Sequence, residues 1–301
     1  MIELIDTNSA AIAAAFVKDR RRAGSPAMGM VMTLIIVVEE ESAEETMAVA
    51  RKATREHPSR VLGVILGDAR GKASVNAQVG VGRNWGGEAA VIRLRGEAVR
   101  HSESVVLPLL LPDSPVVVWW ASKAPSDPAG DRLGALATRR ITDISLGRAR
   151  RRALLQQCEH YSPGNTDLAW TRLTLWRALL AASLDQYPEK VHAASIATER
   201  GHPSADLLRA WLTDRLGIDV ELRASDGPAI TEVRLDLASG PIVVSRPDGR
   251  NAVLTSPHRP ERTAALRIRE LPELIAEELR HLDADDVYAA TLRRLVRLEG
   301  A

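Results

Sequence analysis

Cysteine occurs once in the 301 residues, as Cys158, so neither an internal disulfide nor a cysteine-rich zinc site can form. A single thiol fits a reducing compartment. Charge of one sign is also missing. Forty basic residues face 39 acidic ones, and a net charge of +1 supplies no global field to draw in nucleic acid or an anionic membrane. Long hydrophobic runs are absent as well. The apolar stretch 28–38 stops at Glu39-Glu40-Glu41, and the stretch 105–120 is broken by Pro108, Pro112, Asp113 and Pro115. Both fall short of the ~20 residues that cross a bilayer. Met1-Ile2-Glu3-Leu4-Ile5-Asp6 lacks the basic start of a secretory signal. The expectation is a cytoplasmic protein with no membrane and no nucleic acid among its partners.

Lysine is scarce too, at five of the 40 basic residues, and phenylalanine occurs once. Arginine- and alanine-rich usage reflects a GC-rich genome and says nothing of function. Six tryptophans do not follow from that bias. They are costly to expose and favoured in cores and interface hot spots. With 45% hydrophobic and 26% charged residues the chain reads as globular, and its length suits about two domains at roughly 100–200 residues each.

The pattern along the chain is α/β. Residues 7–22 predict a helix with Ile12 and Phe16 on one face, ended by Ala23-Gly24-Ser25-Pro26. Residues 31–38 are a β-branched run, as in a buried strand. Ser42 and Glu45 match a capping box opening a helix that turns Met47, Ala50 and Ala53 inward. With a second strand at 61–66 this makes a β–α–β unit, normally a parallel pair. Strands are expected at 73–79, 88–95, 115–120 and 141–144, and helices at 131–140 and 148–157; 105–111 is ambiguous. Tyr161-Ser162-Pro163-Gly164-Asn165 has turn chemistry throughout and marks a boundary. The division is 1–162, an N-terminal layered α/β domain, and 163–301, a C-terminal α/β domain with a mixed sheet flanked by helices. In the second, helices are predicted at 166–184, 203–216, 272–282 and 285–298. Strands are predicted at 191–197, 219–223, 232–237 and 242–245, with 251–255 as a further candidate.

No motif carries chemistry. Gly80-Val81-Gly82-Arg83-Asn84-Trp85-Gly86 fails the dinucleotide fingerprint because Trp85 stands where the third glycine belongs, and it reads as a hairpin. Gly67 to Lys72 is one residue short of a phosphate loop, and Ala73 replaces its Ser/Thr. Seven histidines form no metal-binding pair, and Cys158 with His160 reads as a buried thiol beside a surface histidine. The acidic cluster Asp283 to Asp286 reads as a solvated face or a helix start. No catalytic, cofactor-binding or metal residue is assigned. The basic stretch Arg139 to Arg152 has no interleaved aromatics for base stacking. A solvated helix face is the default there, with an acidic partner or a phosphorylated ligand as the alternatives.

Three segments carry a resemblance: Leu107-Pro108-Leu109-Leu110-Leu111-Pro112-Asp113-Ser114-Pro115-Val116-Val117-Val118-Trp119-Trp120, Leu133-Gly134-Ala135-Leu136-Ala137-Thr138-Arg139-Arg140-Ile141-Thr142-Asp143, and Gly164-Asn165-Thr166-Asp167-Leu168-Ala169-Trp170-Thr171-Arg172-Leu173-Thr174-Leu175-Trp176-Arg177. Together they resemble the OpcA family of glucose-6-phosphate dehydrogenase assembly proteins, and the composition suits an actinobacterial member. The resemblance implies a non-catalytic protein without cofactor. Its partner would be glucose-6-phosphate dehydrogenase, whose active oligomer it favours as an allosteric activator in the oxidative pentose phosphate pathway. Thiol-based redox control is associated with photosynthetic relatives, and a lone Cys158 does not support an internal disulfide switch.

Candidate partner-binding residues are Trp119, Trp120, Asn165, Asp167, Trp170, Arg172 and Arg177. Trp119 and Trp120 are adjacent on a strand and point to opposite faces, so both are core if both faces are covered. Trp176 falls on the apolar stripe of its helix, which leaves Trp170 as the better interface candidate. Arg172, four residues before Trp176, is placed to stack on it. Asn165 or Thr166 suits a helix cap, and Asp167 a first-turn charge. Two alternatives compete: a sugar-phosphate or nucleotide binding protein or enzyme with arginine anion clamps, and a nucleic-acid binder using Arg139 to Arg152.

Overall fold

The structure is a computed structural model that describes residues 1–23, 29–82, 87–146 and 149–300. It contains two compact units, and neither is one continuous stretch of chain. The first comprises Met1–Asp143, Ser162–Thr166 and Leu271–Ala284; the second comprises Ile144–Tyr161, Asp167–Glu270 and Asp285–Ala301. In this division the helix at 150–159 goes with the second unit, because Leu154 packs into its core beside Trp170 and Trp176. Residues 271–284 belong with the first.

The first unit begins with β1 (Ile2–Leu4) and α1 (Ser9–Ala23). The proposed stop of α1 at Gly24-Ser25-Pro26 lies outside the described residues. Next come β2 (Met32–Val38), α2 (Ala43–Ala53), β3 (Ser59–Leu66) and the antiparallel pair β4 (Ser74–Gly82) and β5 (Gly87–Arg95). The rest of the glycine-rich connection, residues 83–86, also lies outside the described residues. Short helices α3 (Glu97–Arg100) and α4 (Ser102–Val106) lead to β6 (Val116–Trp120) and β7 (Arg139–Thr142). With β8 (Asn165–Asp167) these strands form an eight-stranded sheet among the described residues, in the order β1-β4-β5-β3-β2-β6-β7-β8.

Strands β5, β3, β2, β6 and β7 run parallel. Every residue of β2 and β6 is buried, as a continuous β-branched run in the middle of a parallel sheet requires. One core gathers Ile12 and Phe16 of α1, Ile35 and Val37 of β2, Val118 and Trp120 of β6, and Ile92 and Leu94 of β5. Inside this unit Glu88, 2% exposed, is held between Arg20 and Arg60 at 2.6 and 2.5 Å.

Two expectations for this part are corrected. Ser42 precedes α2, but its side chain makes no cap hydrogen bond. Residues Glu40–Ser42 already form a 3-10 turn with Ser42 near helical dihedrals, so the capping box is not used. Residues 131–140 are not a helix. Only Gly134–Leu136 turns, with Asp131 Oδ1 accepting from the Leu133 and Gly134 N–H groups, and Arg139 is already paired with Val117 in the sheet. The ambiguous 105–111 becomes the end of α4 and a 3-10 turn, Leu107–Leu109.

The second unit contains α5 (Arg150–Glu159), α6 (Leu168–Thr171) and α7 (Thr174–Leu184). These are followed by β9 (Ala193–Thr198), α8 (Pro203–Leu216), β10 (Val220–Ala224), β11 (Ile230–Leu237), β12 (Gly240–Ser245), β13 (Asn251–Thr255) and β14 (Arg262–Ala265). The chain then supplies α9 (Leu271–Arg280) to the first unit and α10 (Asp286–Glu299) to the second. The sheet order is β10-β9-β11-β12-β13-β14. Strands β11 to β14 form an antiparallel meander, while β10 pairs parallel with β9 on the other side. Alternating burial along β11 marks a sheet with one face on the core. The continuous helix expected over 166–184 is instead β8, α6 and α7. The Leu173 N–H donates to the Trp170 carbonyl, a tight bond three residues back that separates the two helices.

Candidate functional site

The distinctive segment 164–177 is built by hydrogen bonds that begin with a glycine. Gly164 has φ +89°, and a Cβ there would overlap the Thr138 carbonyl, so only glycine fits. Within the first unit the Arg140 Nη1 donates to the Pro163 carbonyl at 3.1 Å and to Asn165 Oδ1 at 3.2 Å. Asn165 is therefore a buried strand residue tied to an arginine, and it does not cap a helix.

Asp167 takes the capping role. It is 0% exposed, and its Oδ1 accepts from the Ala169 N–H at 2.8 Å as the N-cap of α6. Its Oδ2 accepts from the Ile144 N–H at 3.1 Å and from Gln157 Nε2 at 3.2 Å. A buried carboxylate with several N–H donors is a stable arrangement.

Trp170 is likewise interior, at 2% exposed. Its Nε1–H donates to Asp285 Oδ2 at 2.8 Å, and the ring meets Tyr288 at 5.4 Å between centroids. The Arg177 guanidinium lies over the Trp170 ring, 3.7 Å from its centroid. Asp285 does double duty, because its Oδ1 accepts from the Tyr288 N–H and caps α10. Trp119 and Trp120 are 1% and 2% exposed, so both faces of β6 are covered. Of the seven candidates, Trp119, Trp120, Asn165, Asp167 and Trp170 are thus buried, and Arg172 and Arg177 are half-buried. The structure joins Trp170 to Arg177 directly. The arginine it places over Trp176 is Arg246, at 5.0 Å, where the sequence spacing suggested Arg172.

Arg172 lines a cleft, open to solvent, within the second unit. Its charged lining is Arg172, Arg246, Arg267 and Arg269 with His202, and among the described residues no carboxylate lines it. Sequence reading passed over Arg246, His202 and Asp285. Asp285 lay in an acidic cluster already read as a helix start, and that was its only signal. Arg246 and His202 carried none, because their role depends on strands and helices meeting from distant positions.

Cys158 is half-buried, and burial, reinforced by Glu159 and Glu299, pushes its thiol up to about 12. The thiol form therefore dominates at neutral pH, and the thiolate is the reactive species. We expect Cys158 to react with iodoacetamide at pH 8 at least about tenfold more slowly in the native chain than in urea. Native labelling at the denatured rate would contradict this burial. Among the described residues no group of three or more His, Cys, Asp and Glu side chains is placed to hold a metal ion. Nor is any helix among them long and apolar enough to cross a membrane.

Comparison with known proteins gives four findings. Residues 163–292 match the OpcA family model for the C-terminal domain of the glucose-6-phosphate dehydrogenase subunit. Residues 50–159 match the model for the corresponding N-terminal domain. A curated protein of Synechocystis sp., named putative OxPP cycle protein OpcA, is 33% identical over 138 residues, which is 42% of this chain and 29% of the relative. The chain thus matches less than a third of that relative's length. Among solved structures, a mutant 3-ketoreductase from Actinomadura kijaniata, in complex with TDP-benzene and NADP, superposes with a TM-score of 0.48 at 9% identity, over 90% of this chain and 96% of the other.

Proposed function

Because the chain belongs to the OpcA family, whose two domain models between them match residues 50–159 and 163–292, we propose that it is a non-catalytic assembly factor that binds glucose-6-phosphate dehydrogenase and raises its activity. That pair of matches is the observation that carries the reading. The name of the Synechocystis relative, an OxPP cycle protein, agrees with a place in the oxidative pentose phosphate pathway. An activator needs no nucleophile and no cofactor loop. It needs a rigid surface that binds the active enzyme state more tightly than the inactive one.

Segment 164–177 suits the rigid part of that task. In this reading Asn165, Asp167 and Trp170 fix the path of the segment from inside. Arg172, with Leu175 beside it at 38% exposed, offers the outward contact. Trp119 and Trp120 hold the sheet of the first unit, and Arg177 holds the Trp170 ring.

The test is NADP⁺ reduction by the cognate dehydrogenase as the chain is titrated in, with glucose 6-phosphate varied. We expect no turnover by the chain alone. With the enzyme present, we expect a lower apparent KM or a higher kcat, saturating at a fixed ratio and amounting to about 5–150-fold for ordinary coupling. Unchanged kinetics together with separate elution of the two proteins on gel filtration would overturn the proposal.

A further inference from the structure

Beyond the outward contact assigned to Arg172 and Leu175, the arginine-lined cleft of the second unit has a chemistry that partner binding does not account for. Among the described residues, four arginines and a histidine line it without a carboxylate. Arg246 is 4% exposed. It spends Nη1 on the Leu266 carbonyl at 2.9 Å and Nη2 on the Ile230 carbonyl at 2.8 Å, and its Nε is buried without a partner. His202 Nδ1 is buried without a partner as well. Buried polar atoms of this kind ordinarily find a ligand or water.

His202 also stands at the N-cap of α8, a 14-residue helix whose cap makes no side-chain hydrogen bond. Pro203 has no N–H and the Ala205 N–H donates to the His202 carbonyl at 2.9 Å, so it is the positive end of the helix dipole that favours an anion there. Apart from Ser204, whose hydroxyl donates to the Ala169 carbonyl, the remaining walls are apolar, with Leu173, Leu175, Trp176, Ile230, Leu266 and Ile268 among them. Leu175 and Ile268 are 38% and 45% exposed at the mouth.

We propose that this cleft binds a small phosphate monoester, with its phosphoryl oxygens held by Arg172 and His202 beside the positive end of α8, and its organic part against Leu175 and Ile268. The field at the site supports this. His202 faces Arg172, Arg150 and Arg246 against the single carboxylate of Glu199, and burial with those arginines holds its imidazole down at about 4. The neutral ring present at pH 7 can donate from Nδ1 to a phosphoryl oxygen. A dianion in the cleft opposes the arginine field and makes the ring easier to protonate.

The test uses the full chain alone, so it succeeds or fails independently of the dehydrogenase reading. NMR of ¹⁵N-histidine-labelled protein follows His202, assigned by the signal lost in His202→Gln. Inorganic phosphate, glycerol phosphate and phenyl phosphate are the probes, added at constant ionic strength. We expect a saturable shift of the His202 signal and a rise of its pKa by about one unit or more with bound phosphate. Both esters should bind more tightly than inorganic phosphate. Equal or weaker binding of the esters would overturn the monoester assignment. Arg172→Gln should weaken binding about tenfold, while Arg172→Lys keeps most of it. Should Arg172→Gln fail to fold, Arg267→Gln serves the same purpose. The proposal falls if His202 is unmoved by about 20 mM of each probe, well above typical metabolite affinities. It falls equally if the folded arginine-to-glutamine variant binds like the wild type.

Discussion

Trp170→Ala is expected to lower the unfolding free energy of the second unit by about 3–5 kcal/mol. The ring is 2% exposed and belongs to the core formed with Leu173, Trp176, Leu208 and Tyr288. Its removal leaves a cavity, strips Arg177 of its cation–π face and leaves Asp285 Oδ2 without its indole donor. Trp170→Phe separates these contributions. It keeps most of the packing and loses the Nε1–H bond, so its cost should be about 1–2 kcal/mol. Urea unfolding of the two variants beside the wild type makes the measurement. If alanine proved as mild as phenylalanine, the ring could not be anchoring this core. The distinction bears on function, because a stable Trp170→Ala variant that lost partner binding would make Trp170 a contact residue and not an internal support.

The second large effect is expected in the first unit, at Arg139. Its guanidinium meets Glu278 Oε2 from Nη2 at 2.5 Å and from Nε at 3.2 Å, and Nη1 donates to the Asp283 carbonyl at 2.8 Å. Both side chains are nearly sealed from water, at 4% and 6% exposed. Arg139→Ala removes the two-point guanidinium partner of a buried carboxylate, which should cost about 3–5 kcal/mol. The double change Arg139→Met with Glu278→Leu removes both charges together. It should recover most of that loss, because well-packed apolar residues commonly replace a buried ion pair at little cost. Thermal unfolding of the single and double variants reads the difference. A single variant within about 1 kcal/mol of wild type, the range of surface pairs, would show that the pair is hydrated in solution.

Arg139 also shows where sequence reading reached its limit. In the linear chain it opens a basic stretch, and a solvated helix face was the natural expectation. The stretch divides in the structure. Arg139 is a strand residue paired with an acid from α9, 139 positions away, while Arg151 and Arg152 are exposed on α5. Charge runs report composition, and which members become buried depends on partners that pattern alone does not bring together. The same holds for Asp167, read as a helix-start charge but found to be a cap that also ties down Ile144 and Gln157.

Local periodicity settled a good deal. The alternation and apolar runs of β2, β3, β6, β11 and β12 were visible because each lies wholly or half in a core, where the two-residue repeat is enforced by burial. Helices α1, α2, α8 and α10 were visible for the corresponding reason, and α8 also announced itself by a proline at its start and Gly217 at its end. Short elements such as β1, β14 and α6 were missed, since three or four residues carry no period.

The sequence by itself determined the α/β class, the strand that carries Trp119 and Trp120, and the segments that mark the OpcA family, because each is written in contiguous residues. Only the tertiary structure decided that α9 returns to the first unit, that Arg246 and not Arg172 lies over Trp176, and that His202 faces an arginine-lined cleft. Those outcomes depend on which surfaces must exclude water together, and the residues concerned are separated by tens of positions in the chain.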